Sequence, residues 1–122
     1  MWTYHQASGQ LFDPNGGIVC AGYSGSGQCK NQPDMQNVRE RGPIPRGSYQ
    51  IGAPIDQPLG VGAFALPLTP SPTNDMFGRS EFYIHGDSAT HPGQASEGCI
   101  VVPLAARKMI ASSADKTLLV LA

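Results

Sequence analysis

The sequence predicts a mainly β domain with one short C-terminal helix, and three observations carry that expectation. With 15 Gly and 11 Pro among 122 residues, the chain is rich in the two residues that helix interiors tolerate least, one for backbone entropy and the other for its missing N–H. Their share stays below that of a low-complexity chain, and 40% apolar residues supply a core. Short aromatic and β-branched runs alternate with turn signals along most of the chain, and a clear helical period occurs once, near the C-terminus.

In chain order, "WTYH" and "QLF" are separated by "QASG", and "IVCAGY" follows "DPNGG", which predicts an N-terminal β-meander. Residues 24–46 hold few apolar residues and many turn formers, so they read as a long surface connection, of the kind that borders a site. "GSYQIG", "AFALPL" and "EFYIH" are strand candidates bounded by Gly, Pro or Ser, with "TPSPTNDMFGRS" as a loop between the last two. "CIVV" opens a further strand. In "PLAARKMIASSA", 103–114, Pro103 suits a first helical turn and Ala105, Ala106, Met109 and Ile110 fall on one face. "TLLVLA" closes the chain as a buried strand.

At this length the expectation is a single domain over 1–122. A net charge of −1 with eight scattered Lys and Arg offers no basic stripe for phosphates, so nucleic acid is not an expected partner. No run approaches the ~18 apolar residues of a membrane span, and "MWTYHQASGQ" lacks the basic and apolar regions of a signal peptide. Neither membrane insertion nor signal-peptide export is expected. Of three cysteines, Cys20 and Cys29 flank a Gly-rich turn and can pair or remain free, and both options stay open. His85 and His91 stand at the upper limit of an H-x₃₋₅-H spacing, but no C-x₂₋₄-C pair accompanies them, so no metal or other cofactor is expected.

The chemistry concentrates in "HGDSATHPGQASEGCIVV". A cysteine attacks as thiolate and needs a neighbouring base or cation, because its ordinary pKa of roughly 8.5 leaves few thiolates at neutral pH. His85 ends one strand candidate and Cys99 begins the next, so adjacent strands would bring base and nucleophile to one end of a sheet. Gly86 lets the chain turn away beneath the imidazole. Gly98 permits close approach of a substrate, with the N–H groups near 98 and 99 as oxyanion donors. The plain alternative is a buried structural cysteine and a satisfied histidine. Arg79 is a candidate for a substrate carboxylate or a loop-anchoring ion pair, Asp87 for orienting His85, binding an amine or closing a turn, and Ser96 for a hydrogen bond in the site or in the turn.

This segment resembles the signature of L,D-transpeptidase domains, in which a His-Gly pair precedes a Ser/Thr-x-Gly-Cys element. Here these are His85-Gly86 and Ser96-Glu97-Gly98-Cys99. "GPIPRGSYQI" resembles the Pro-x-Gly-x-(aromatic)-x-(aliphatic) stretch upstream of the same site. "GYSG", "GPIP-x-G-x-Y", "FGRS-x-F-x-IHGD" and "S-x-GC" together are similar to the small L,D-transpeptidase-like effectors of type VI secretion, from Trp2 to Ile100. Glu97 stands where many members have His, and Val101 where a polar or basic residue often follows, which leaves the acyl-acceptor side less defined.

The resemblance implies an L,D-transpeptidase-like β-sandwich and catalysis by Cys99 and His85, with Arg79, Gly86, Asp87, Ser96 and Gly98 as the expected substrate contacts. It further implies acyl transfer on peptidoglycan tetrapeptide stems, with water or a D-amino acid as acceptor. The secretion apparatus and a cognate immunity protein would be partners, and the periplasm of a rival cell the place of action. A papain-like wall hydrolase places Cys before His, the reverse of the order here. A wall-binding or phage-associated module with an inert Cys99 is the alternative outside enzymes.

Overall fold

The computed structural model describes residues 1–56 and 62–122. It is mainly β with one short helix, as expected. The strands are β1 Trp2–His5, β2 Gln10–Phe12, β3 Ile18–Ala21, β4 Tyr23–Ser24, β5 Gly47–Ile51, β6 Leu66–Pro70, β7 Phe82–His85, β8 Ile100–Val101 and β9 Thr117–Leu121, with helix α1 over Leu104–Ser112. All belong to one sheet of order β3-β2-β1-β9-β5-β6-β7-β8-β4.

The two edges of that sheet, β3 and β4, are consecutive in the chain and separated by Gly22 alone. A sheet whose first and last strands are joined by one residue must curl until it nearly closes, and the right-handed strand twist supplies the curl. Gly22 N–H donates to the Gly9 carbonyl at 2.7 Å, and a Cβ on Gly22 would lie 1.9 Å from the Val101 carbonyl oxygen. The expected "IVCAGY" strand is therefore split, its halves pairing with opposite ends of the sheet.

Period-2 alternation builds the core. Trp2 and Tyr4, Tyr49 and Ile51, Leu66 and Leu68, Phe82 and Ile84, and Leu118 and Val120 all point inward and are buried. The predicted meander is present as antiparallel β1-β2-β3. "TLLVLA" becomes β9, between a parallel β1 and an antiparallel β5.

Two expectations need correction. The 24–46 connection is not wholly superficial: after two 3₁₀ turns, Gly42–Pro45 is buried, with Ile44 fully so. Ile44 and its flanking prolines, Pro43 and Pro45, form one buried end, which an average over the loop hides. Helix α1 starts one residue later than the first-turn placement of Pro103, which is its N-cap, and it buries Ala106, Arg107 and Ile110, while Ala105 and Met109 face solvent. The buried face is rotated because Arg107 packs inward and donates to the carbonyls of Ala63 and Phe64 at 3.0 and 3.1 Å, a polar use of a core position that apolar counting cannot register.

Candidate active site

β7 and β8 are parallel neighbours, with Ile84 opposite Ile100 and His85 opposite Val101. A parallel pair needs a crossover, and residues 86–99 provide it without a helix. The register sets Cys99 level with Tyr83, two residues back along the strand from His85. By period-2 alternation Tyr83 and His85 share the face opposite Phe82 and Ile84. His85 and Cys99 line one cleft of about 490 Å³, together with Arg39, Glu40, Arg79, Glu81, Gln94 and Glu97 among others. His85 also lines a second, shallower cleft beside Gly86, Asp87 and His91.

His85 is almost fully buried, and its Nδ1 lies 2.8 Å from the Gly86 carbonyl oxygen. A carbonyl only accepts, so Nδ1 carries the proton and the lone pair of the neutral ring resides on Nε2. Burial pushes the His85 pKa down, against the Gly86 carbonyl, which raises it; Arg107 lowers it further and Asp87 raises it. The imidazole rests neutral.

Cys99 Sγ accepts from Tyr83 N–H at 3.3 Å and lies 3.8 Å from the Glu81 carbonyl oxygen, toward which its S–H points. Among the described residues no hydrogen bond joins Sγ to the imidazole. Burial pushes the thiol up to about 11, partly offset by Tyr83 N–H, with Glu97 raising it and Arg79 lowering it. The resting pair is thus a thiol and a neutral imidazole rather than a thiolate and an imidazolium.

The crossover is tied at both ends. Ser96 Oγ, buried, donates to the Cys99 carbonyl at 2.6 Å and accepts from Gly25 N–H at 2.9 Å and Gly98 N–H at 3.0 Å. Gly98 N–H is consequently spent inside the turn, and of the expected oxyanion donors Cys99 N–H remains, with no partner among the described residues. Gly98 has φ +142°, and a Cβ there would meet Arg79 Nη2 at 2.4 Å. Ser24 Oγ donates to the Gly98 carbonyl at 2.7 Å and accepts from Ile44 N–H at 2.8 Å. At the other end Asp87 Oδ1 accepts from Tyr23 O–H at 2.6 Å, and from Ser88 and Gly93 N–H at 2.8 and 3.1 Å. The Tyr23 bond, foremost, holds the Asp87 carboxyl below its ordinary range.

Arg79 is buried and spends its η N–H groups on main-chain carbonyls: Nη1 on Gln36 at 2.5 Å and Pro43 at 2.8 Å, Nη2 on Gly42 at 2.9 Å and Glu97 at 3.3 Å. The guanidinium joins the 36–43 loop to the turn before Cys99 and, among the described residues, holds no ion pair. Arg107, absent from the sequence expectations, brings Nη2 to 2.6 Å from where a Gly86 Cβ would stand, which is why Gly follows His85. Tyr23 and Ser24 were also not singled out as site residues; they lie in "GYSG", whose place in the resemblance was the available signal. Cys20, Cys29 and Cys99 are all free thiols. Among the described residues no group of three His, Cys, Asp or Glu gathers as a metal site would require.

The Tlde1 domain matches residues 18–119, a span that includes both edges of the sheet, the crossover and every residue of the cleft named above. No curated protein gave a significant match. With most of its length matched, the chain belongs to the Tlde1 domain family, the L,D-transpeptidase-type effectors of type VI secretion, enzymes that modify peptidoglycan.

Proposed function

We propose that the protein performs cysteine-dependent acyl transfer on peptidoglycan tetrapeptide stems, removing the terminal D-Ala or exchanging it for another D-amino acid. The observation that carries this reading is His85 pinned at Nδ1 by the Gly86 carbonyl, its basic Nε2 left for use in a cleft shared with Cys99.

In this mechanism, rotation about the Cys99 Cα–Cβ bond takes Sγ from Tyr83 N–H to the imidazole, a contact that often tightens only with substrate bound. The S–H proton passes to Nε2 as sulfur bonds to the carbonyl carbon of the third stem residue, and the developing oxyanion takes the Cys99 N–H. Collapse breaks the peptide bond, Nε2–H protonates the departing amine of D-Ala, and a thioester remains. Water or an amine, deprotonated by Nε2, attacks the thioester and returns the proton to sulfur. Arg79 and Ser96 act as positioning residues that hold the turn carrying Cys99, and Asp87 fixes the far end of the crossover.

Delivered into the periplasm of a competing cell, such an enzyme would consume the donors of wall cross-links, and the producer would need an immunity protein. Purified protein is to be incubated with muropeptides and the products weighed. Release of D-Ala from tetrapeptides, absent in Cys99→Ala, is the expected result; binding without any mass change would establish instead a wall-binding module with an inert cysteine.

A further inference from the structure

We infer that Arg39 is the residue that binds the terminal carboxylate of the stem peptide in the Cys99 cleft. The inference rests on the reaction proposed above and adds its missing specificity element. A terminal carboxylate is one residue beyond the attacked carbonyl, and consecutive Cα atoms are only ~3.8 Å apart. It must therefore enter the cleft that holds Cys99. That cleft is lined by Glu40, Glu81 and Glu97, which repel an anion, so a cation has to compensate.

Of the two arginines that line the cleft, Arg79 is spent. Both η nitrogens each already serve two main-chain carbonyls, so it has no fork left for a carboxylate. Arg39 is exposed and, among the described residues, takes part in no ion pair or side-chain hydrogen bond, despite the nearby glutamates. Its seat is specific: one η nitrogen stands 2.7 Å from where a Cβ on Gly78 would be, and Gly78 has φ +70°. The bare backbone at Gly78 leaves room for the guanidinium against the wall of the cleft, one residue before the arginine that cannot do this job.

Binding to Cys99→Ala, which cannot turn over, tests this by calorimetry with two probes: the tetrapeptide stem ending in a free D-Ala carboxylate and the same peptide ending in a carboxamide. The free acid is expected to bind roughly fivefold more tightly, an accessible charge-assisted pair being worth about that much. Adding Arg39→Ala should abolish the difference by weakening the acid alone, while Arg39→Lys keeps part of it. Equal affinities for the two peptides in Cys99→Ala, a preference that survives Arg39→Ala, or no binding of either peptide would each overturn the inference. Failure of the proposed reaction reads out separately, as no D-Ala release by the unmodified enzyme while Cys99→Ala still discriminates between the peptides.

Discussion

At the residue scale the Cys99–His85 pair rests uncharged, because burial raises the thiol to about 11 and lowers the imidazole. An activated thiolate, the ordinary expectation for a nucleophilic cysteine, is not the resting state here; in the reaction proposed above the nucleophile is made during attack, by transfer to Nε2. Cys99→Ala and His85→Ala are each expected to reduce turnover to background with the circular dichroism spectrum unchanged, and full activity in either would remove the dyad. Because the His85 pKa lies below the ordinary ~6.5, the acid limb of kcat/KM should fall below that pH, and a limb above it would contradict a buried neutral base. Alkylation of Cys99 at pH 7 should be slower than that of a free thiol and accelerate as pH rises toward 11. Glu97→Gln removes a negative charge that disfavours the thiolate and should speed it; mass spectrometry of labelled peptides measures both.

Elements matter to the site through the crossover between two parallel strands. Nothing within 86–98 is helix or strand, so its shape depends on side chains that replace the missing ladder. Ser96→Ala would strand the Gly25 and Gly98 N–H groups in a buried place, a loss of about 2 kcal/mol in chemical denaturation. Arg79→Ala removes donors from four carbonyls and should cost about 3 kcal/mol. Lysine cannot replace that planar fork. If Arg79→Ala instead left stability unchanged and raised only KM, Arg79 would be a substrate ligand after all, as its position before the His strand first suggested. In β9 a different physics applies: Leu118 is fully buried between Trp2 and Tyr49, and Leu118→Ala is expected to cost about 2–5 kcal/mol through lost contacts and the cavity left behind.

Over the whole molecule, curling one sheet until its edges meet brings Tyr23 and Ser24 beside β8, so the seam of the sheet also supports the Cys99 turn. Gly22→Ala puts a methyl group against the Val101 carbonyl and should lower stability by about 3 kcal/mol, with loss of activity in whatever fraction stays folded. Protons report on the same coupling. His85 is held neutral below its unfolded pKa, so the unfolded chain binds the extra proton first, and stability falls as pH drops below ~6.5 until the lowered folded value is reached. Thermal melts from pH 8 to pH 5 should show this decline, and His85→Gln should flatten it; an unchanged slope would place the acid sensitivity elsewhere.

Residue identity and spacing alone determined the strand-rich class, a helix within 103–114, the inward alternation of most strands, and the placement of His85 at a strand end; Cys99, expected to open the next strand, lies just before it. These are local properties, written in periods of 2 and 3.6 and in the turn residues between them. Other features lay outside their reach: the split of "IVCAGY" at Gly22, the parallel register that sets Cys99 beside Tyr83, the burial of Gly42–Pro45, and the inward turn of Arg107. Arg79 has partners fixed by segments distant in the chain, so its donors are consumed by contacts that no local pattern encodes, whereas Gly98 N–H is taken within its own turn by Ser96, two residues before it. Sequence identified which groups could do chemistry; the tertiary structure decided which of them still had a hydrogen bond to offer, because each donor can be spent only once.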